Sequence, residues 1–330
     1  MTSRRAAGLT VLCAALLIAL LVGIGAGAVS LDPRTIAHAL VRPHAADEAS
    51  AIVWALRLPR VMIAALVGAA LALSGTLLQG MLRNPLVDPY LTGGSAGAAF
   101  TIALAIAFGA PPPLYGVLAF VAALATTLAV AALARTGHGI SPERLILAGI
   151  AVSSLFAGMT TLVILLAPSA SVTLSILAWL GGSLVGHGWH DLAWAALYAS
   201  AGALVALLAV PALNALRLGE ARARALGVDL ERTRWIVLVS ASLLTAAAVS
   251  VSGVIGFVGL IVPHVVRGVC GADTRWTVPA SIPAGAAIVV LADTIARTAA
   301  PPLELPIGVL LSLLGVPAFL YLAFRRARTA

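Results

Sequence analysis

The sequence predicts an all-α, polytopic membrane protein with about ten transmembrane helices and both termini in the cytoplasm. Composition, apolar runs and arginine placement lead to this fold class. Hydrophobic residues make up 61% of the 330 residues, charged residues only 10%, and the mean hydropathy is +1.08. A soluble domain has roughly 45–50% apolar and about 25% charged residues, so this chain carries too little charge to cover a water-facing surface. We expect residues 1–330 to form one transmembrane domain.

Apolar runs predict the individual spans, since a helix that crosses about 30 Å of hydrocarbon needs roughly 20 apolar residues. Ten runs occur, of which the eighth is short and rich in glycine. They lie near residues 6–30, 59–80, 91–109, 114–134, 144–167, 191–213, 235–252, 254–268, 278–296 and 307–324. The first run resembles a signal peptide, but its length exceeds the about 7–15 residues of a signal h-region. We therefore interpret it as a retained helix.

The basic residues, all 20 of them arginines, indicate the orientation. With the N-terminus inside, fifteen fall in cytoplasmic segments and five in external ones, which the positive-inside rule favours. An even number of spans returns the C-terminus to the cytoplasm. The net charge of +8 then reflects topology, and we expect membrane lipid but no nucleic acid as a partner. The five external arginines are Arg34, Arg42, Arg57, Arg60 and Arg297.

The absence of lysine excludes whole classes of function. A phosphate-binding P-loop needs a lysine to reach the β- and γ-phosphates, and Schiff-base enzymes need a lysine amine. The predicted spans contain no HExxH motif, paired carboxylates or Ser/His/Asp cluster. Cys13 and Cys270 have no CxxC spacing and do not indicate a disulfide framework. We expect no enzymatic activity, and no metal or cofactor bound by this chain.

The most polar stretch, residues 214–234, is predicted to be a cytoplasmic loop. Its segment from Glu220 to Leu226 has a helix-forming composition, and Gly227 stands where a helix C′ glycine would. Asp229 could cap a second helix. Two short helices would suit docking of another protein, whereas an ordinary basic loop that follows the positive-inside rule is equally compatible with the residues.

Specific motifs add a family resemblance to these patterns. Residues 219–227 read GEARARALG and resemble the EAA-type coupling loop of ATP-binding cassette importer permeases. RLPR at 57–60, GAALALSG at 68–75 and NPLVDP at 84–89 resemble the signature of the FecCD-type permeases. Collinear matches extend the similarity over roughly residues 50–325; the matched motif residues are Asn84, Pro85, Asp88, Pro89, Pro263, His264, Asp293, Glu304 and Pro306.

The resemblance implies the permease subunit of an importer in the bacterial inner membrane. Its cargo would be an iron chelate, either a ferric siderophore or haem, with cobalamin as the alternative. The implied partners are a second copy of the chain, two ATPase subunits that hold ATP and Mg²⁺, and a periplasmic or lipid-anchored substrate-binding protein. The implied contacts with the ATPase come from Gly219, Glu220, Ala221, Ala225, Leu226 and Gly227.

The resemblance also implies that Arg57, Arg60 and Arg297 receive acidic side chains of the binding protein, and complementary charges would steer that encounter. Two alternatives stay open. The long arginine side chains could snorkel to the membrane interface. Arg297 could instead pair with Asp293, which precedes it by one helical turn.

The connection at Ser141, Pro142 and Glu143 is placed near the cytoplasmic gate by the same resemblance. Its residues also predict a helix start, with Ser141 as cap, Pro142 in the first turn and Glu143 complementing the helix dipole.

Three histidines leave alternatives open. His264 could relay protons or bind metal, but we favour a hydrogen bond to a backbone carbonyl. His187 and His190 accompany tryptophans in an outer loop and favour an aromatic belt over haem ligation. An ion-coupled secondary transporter, the competing class, usually keeps ionisable groups mid-membrane, and only Asp293 approaches that position.

Overall fold

The computed structural model describes residues 2–27, 32–41, 47–137, 139–300 and 303–327. This part of the chain is built almost entirely from helices. The α-helices are α1 (Thr2–Gly25), α2 (Pro33–Val41), α3 (Glu48–Ala51), α4 (Leu58–Leu82), α5 (Gly94–Ala107), α6 (Tyr115–Leu133), α7 (Pro142–Leu165), α8 (Ala170–Leu180), α9 (Trp189–Leu216), α10 (Glu220–Ala225), α11 (Leu230–Ser252), α12 (Val258–Cys270), α13 (Thr274–Thr298) and α14 (Ile307–Ala327).

Shorter elements complete the fold. A π-helical segment, Ile52–Arg57, joins α3 to α4, so that residues 48–82 form one continuous helical stretch. Turns of 3₁₀-helix cover Pro89–Thr92 and Pro112–Leu114. Between α6 and α7 a two-residue antiparallel hairpin pairs β1 (Arg135–Thr136) with β2 (Gly139–Ile140), with Arg135 opposite Ile140.

All ten predicted runs contain a helix, and the all-α membrane fold class is confirmed. Among the described residues, seven helical stretches are long and apolar enough to cross a membrane, and four shorter apolar helices accompany them. One of these, α8, was not predicted, because its 11 residues are too few to give a span-length run. The side on which the termini lie stays a prediction.

The eighth predicted run is short because the backbone turns before it. Gly253 ends α11 and Phe257 precedes α12, with φ of 66° and 69°. The left-handed region suits Gly253, whereas for Phe257 it is an unusual conformation. The interruption leaves α12 with 13 residues, including the internal Pro263.

The centre of the bundle is formed by α4, α11 and α13, which pack through small side chains. A Cβ atom built on Gly68 would lie 2.1 Å from the carbonyl oxygen of Gly285 on α13. A Cβ on Gly75 would lie 2.0 Å from the carbonyl oxygen of Gly259 on α12. Glycine is required at such positions because it lets the helix backbones touch, which is the way helices associate in lipid.

Candidate functional site

A groove of about 600 Å³ runs between α5 and α7. Its walls are mostly apolar, with Ala96, Ala99 and Ile150 beside the hydroxyl groups of Ser95, Ser154 and other Ser and Thr residues. Helix α7 is largely uncovered in the single chain. Only 11% of its most apolar 18-residue segment is buried, whereas 78% of the corresponding segment within residues 48–82 is buried. A wall of this kind offers hydroxyl hydrogen bonds and apolar contacts but no charge to a passing solute.

The signature turn between α4 and α5 lies at the end of this groove. Asn84 accepts the backbone N–H of Leu86 at 2.9 Å, and Asp88 accepts that of Tyr90 at the same distance. The Tyr90 hydroxyl accepts the N–H of Ile255 at 2.9 Å, which ties the groove to the break between α11 and α12. Burial raises the pKa of Asp88 to about 6.

Two prolines of the same motif set have packing roles. Pro89 is buried against α12, since a Cβ on Gly259 would meet its ring carbon at 2.3 Å. Pro306 contacts the turn after α8, where Gly308 N–H donates to the carbonyl of Gly181 at 3.0 Å. Pro85 lines a separate cavity at the end of α4.

The three arginines predicted to receive the binding protein lie together. Arg57, Arg60 and Arg297 line one cavity of about 470 Å³ with Glu304. Arg60 forms a bidentate pair with Glu304, at 3.1 and 2.8 Å, and contacts buried Asp293 at 2.8 Å. Arg60 therefore already has two acidic partners within the chain.

The other two arginines bind backbone carbonyls of α1. Arg57 is 5% exposed and donates to the carbonyls of Ile24 and Gly25 at 2.8 and 2.9 Å. Arg297 donates to the carbonyl of Gly23 and lies 3.4 Å from Asp293, an ion pair without hydrogen-bond geometry. The i, i+4 pairing predicted from the sequence is thus present. The docking role stays a prediction, and Arg60 with Glu304 forms the more exposed part of the cluster.

The predicted coupling loop folds as two helices separated by a turn. Helix α10 ends at Ala225 and is followed by Leu226 and Gly227, whose φ of 81° is the left-handed conformation of a C′ glycine. Asp229 caps α11 by accepting the N–H of Arg232 at 3.0 Å. Ala221, Ala225 and Leu226 are exposed, and Leu226 keeps 66% of its surface open. An exposed apolar patch on a short helix is suited to a protein contact.

One residue of this region was missed by the sequence reasoning. Arg234 donates to Glu220 of α10 at 2.5 Å and to the carbonyl of Ile140 in the hairpin at 2.9 Å. The predicted gate residues follow the hairpin directly: Ser141 caps α7 by accepting the N–H of Arg144 at 3.4 Å, and Pro142 and Glu143 begin the helix. Arg234 therefore links α10 to the hairpin that precedes α7.

Comparison with known proteins decides the family. Residues 15–325 match the sequence model of the FecCD transport family. The chain belongs to the FecCD transport family. The hemin transport system permease protein of Yersinia pestis is 41% identical over 307 residues, or 91% of this chain and 90% of that protein. The cobalamin import system permease protein of Halobacterium salinarum is 42% identical over 283 residues, or 84% of this chain and 74% of that protein.

A solved structure supports the same assignment. It is described as an inward-facing conformation of a metal-chelate type ABC transporter, and it matches with a TM-score of 0.83 and 33% identity. The match covers 96% of this chain and 98% of that chain. This FecCD protein is therefore the membrane permease of an ATP-binding cassette importer of the metal-chelate type, whose ATPase is a separate subunit. The ion-coupled alternative is excluded, and the expectation that the chain is not an enzyme is confirmed.

The three histidines that the sequence singled out in this FecCD chain, His187, His190 and His264, are engaged locally. His190 accepts the indole N–H of Trp194 at 2.9 Å, and His187 lies 3.5 Å from Asp191. His264 has an interaction partner within the chain. Among the described residues no group of three or more His, Cys, Asp or Glu side chains could hold a metal ion.

Proposed function

We propose that this permease carries an iron chelate, a ferric siderophore or haem, across the bacterial inner membrane. The observation that carries the proposal is the 41% identity with a hemin transport permease over 91% of the chain. A relative from Escherichia coli, 40% identical over 295 residues, is named for the transport of ferric dicitrate. Both names denote bulky iron complexes.

The groove chemistry is compatible with such cargo. A pathway that must release a large solute should bind it weakly, because transport requires that each contact be given up again. The wall between α5 and α7 meets this requirement with alanine, isoleucine and serine side chains. We propose that a second copy of the chain supplies the opposite wall, since α7 leaves most of its apolar surface uncovered.

Energy would enter through α10. In the proposed assembly residues 1–330 form one transmembrane domain, both termini are cytoplasmic, and two ATPase subunits dock on Ala221, Ala225 and Leu226. Movement of α10 would reach the predicted gate at Ser141 because Arg234 binds both Glu220 and the hairpin that precedes α7.

A substrate-binding protein would dock at the opposite end. Arg57, Arg60 and Arg297 line one cavity and give that end a local excess of positive charge over Asp293 and Glu304. Acidic side chains of the partner would compete for Arg60, the arginine whose partner Glu304 is 39% exposed. Electrostatic complementarity of this kind governs orientation and the association rate.

Cobalamin is the second candidate cargo, because the Halobacterium salinarum relative is 42% identical and is named for cobalamin import. The two cargo classes are separated by reconstituting the permease with its own ATPase and binding protein in liposomes. Uptake of ⁵⁵Fe-siderophore, haem and cobalamin is then compared at saturating ATP.

An ATPase variant that binds but does not hydrolyse ATP serves as the control. We expect ATP-dependent uptake of an iron siderophore or haem and none of cobalamin. Uptake of cobalamin alone would replace the proposed cargo with the second candidate, and ATP-dependent uptake of none of the three would refute both.

A further inference from the structure

A second polar cavity lies at the end of the bundle opposite the three docking arginines. It has a volume of about 310 Å³ and lies between the ends of α4 and α9 and the helices α12 and α13. Its lining includes Thr76, Gln79, Arg83, Arg217, Arg267 and Thr277. The volume is at the lower end of the range of small-ligand sites, about 300–1,000 Å³.

The lining carries positive charge without negative charge. Three arginines line the cavity, and no aspartate or glutamate is among its described lining residues. Within the described chain, the side chains of Arg83 and Arg217 form neither an ion pair nor a hydrogen bond. Like charges that share one cavity repel each other, and a bound anion removes that repulsion.

Nearby carboxylates are committed elsewhere. Asp273 precedes α13, but its oxygens lie 3.2 Å from Arg5 and 2.9 Å from the amide of Asn214. Glu220, three residues after Arg217 in the chain, accepts from Arg234 at 2.5 Å. Neither acid is therefore available to neutralise Arg83 or Arg217 without breaking an existing contact.

The third arginine is held in place by an amide. Arg267 donates to the side-chain oxygen of Gln79 at 2.7 Å. The amide nitrogen of the same buried Gln79 donates to the carbonyls of Val87 and Gly259, at 3.0 and 3.1 Å, which fixes its orientation. This arrangement orients the guanidinium through a neutral group, so Gln79 adds no negative charge to the cavity.

We propose that this cavity binds a phosphate-type oxyanion, supplied by the headgroup of an anionic phospholipid or by free phosphate. Guanidinium groups match phosphate oxygens with paired N–H donors, and they do so better than other cationic side chains. The hydroxyl-bearing Thr76 and Thr277 add polar groups to the same wall. Basic pockets between transmembrane helices on the cytoplasmic side are a recurrent site for anionic lipid headgroups.

The test compares two double variants of the full-length permease. In the first, Arg83→Asn and Arg217→Gln remove two cavity charges; asparagine is chosen because Arg83 has a φ of 51°, which asparagine tolerates. In the matched control, Arg144→Gln and Arg232→Gln remove two exposed arginines that do not line the cavity. Both variants change the net charge equally.

The first measurement titrates inorganic phosphate against the melting temperature at constant ionic strength. The second measures phosphatidylglycerol retained in native mass spectrometry, with phosphatidylcholine as the zwitterionic comparison. We expect wild type and control to bind one of the two phosphate sources, and the cavity variant to bind it at least about tenfold more weakly, since it lacks two charge-assisted donors. Binding of phosphatidylglycerol alone identifies a lipid headgroup as the source, and binding of phosphate identifies the free anion.

Two results would overturn the proposal. Wild type could bind neither phosphate nor phosphatidylglycerol; if the cavity variant then also loses ATPase-subunit binding, these arginines belong to a protein contact. Alternatively, the control variant could lose as much affinity as the cavity variant, which would indicate non-specific attraction to a basic surface. If the double variant does not fold, Arg217→Gln alone is measured against Arg232→Gln with the same criteria.

Discussion

Replacing Arg234 by glutamine should uncouple the ATPase contact from the predicted gate. Arg234 is 7% exposed and donates to Glu220 of α10 and to the carbonyl of Ile140. Glutamine keeps one amide donor but cannot span both acceptors and carries no charge. The substitution therefore removes the one described side chain that binds both α10 and the hairpin.

The size of the effect follows from the two contacts. A hydrogen bond to a charged group contributes about 1.5–3 kcal/mol. The pair with Glu220 falls toward the lower end because that side chain is 35% exposed and therefore screened by solvent. Since glutamine restores part of the bond to buried Ile140, we expect a net loss of about 2 kcal/mol. A loss of that size weakens docking of α10 on the hairpin roughly thirtyfold.

The assay measures transport and ATP hydrolysis in the same liposomes. We expect the variant Arg234→Gln to retain the ATPase subunit while the cargo moved per ATP falls severalfold, because the exposed face of α10 is unchanged. Arg232→Gln is the matched control, since Arg232 is exposed and, in the part of the chain that the structure describes, only its backbone N–H is engaged, by Asp229. Equal coupling ratios for both variants would refute the linkage. So would full additivity of Arg234→Gln and Glu220→Gln in a double-mutant cycle.

Three further outcomes are expected. Gly68→Ala should destabilise the detergent-solubilised protein by about 1–3 kcal/mol through overpacking. The control Gly158→Ala, at a position with open space around it, should be neutral or slightly stabilising. Equal melting temperatures of the two variants would contradict the close contact at Gly68. The folded-state pKa of Asp88, about 6, exceeds its ordinary value of 3.8. The free energy of unfolding should therefore fall as pH rises from 4 through 6, by at most about 3 kcal/mol. The variant Asp88→Asn should lose this pH dependence in thermal melts. Reversing the charge at both Arg57 and Arg60 should weaken docking of the binding protein, most strongly at low salt, where exposed charges are least screened. Surface plasmon resonance measures the affinity, and a melting curve controls for misfolding because Arg57 is buried. An affinity that is unchanged at every salt concentration would remove the docking role.

Hydropathy and capping chemistry predicted much of the fold. Span-length apolar runs located ten helices, because each crossing segment must satisfy its own backbone hydrogen bonds in lipid. Local chemistry predicted Gly227 as the C′ glycine that follows α10, and Asp229 and Ser141 as helix caps. These features depend on residues within one or two turns of each other, which a sequence displays directly.

Contacts between distant segments could not be predicted in the same way. The pairing of Asp293 with Arg297 is visible as a four-residue spacing, but Asp293 also binds Arg60, which is 233 residues away. Arg57 is held by backbone carbonyls of α1, and carbonyls carry no sequence signal. In the sequence, Arg234 is one cytoplasmic charge among fifteen, since nothing in the chain order links it to Ile140.

The glycine contacts of α4 have a mechanical consequence. Because its backbone touches α13 at Gly68 and α12 at Gly75, these three helices can neither slide nor rotate against one another without a steric clash. They form a stiff frame within the subunit. Conformational change during transport must then be carried by the less buried helices around that frame, with α7 the least restrained of the long ones.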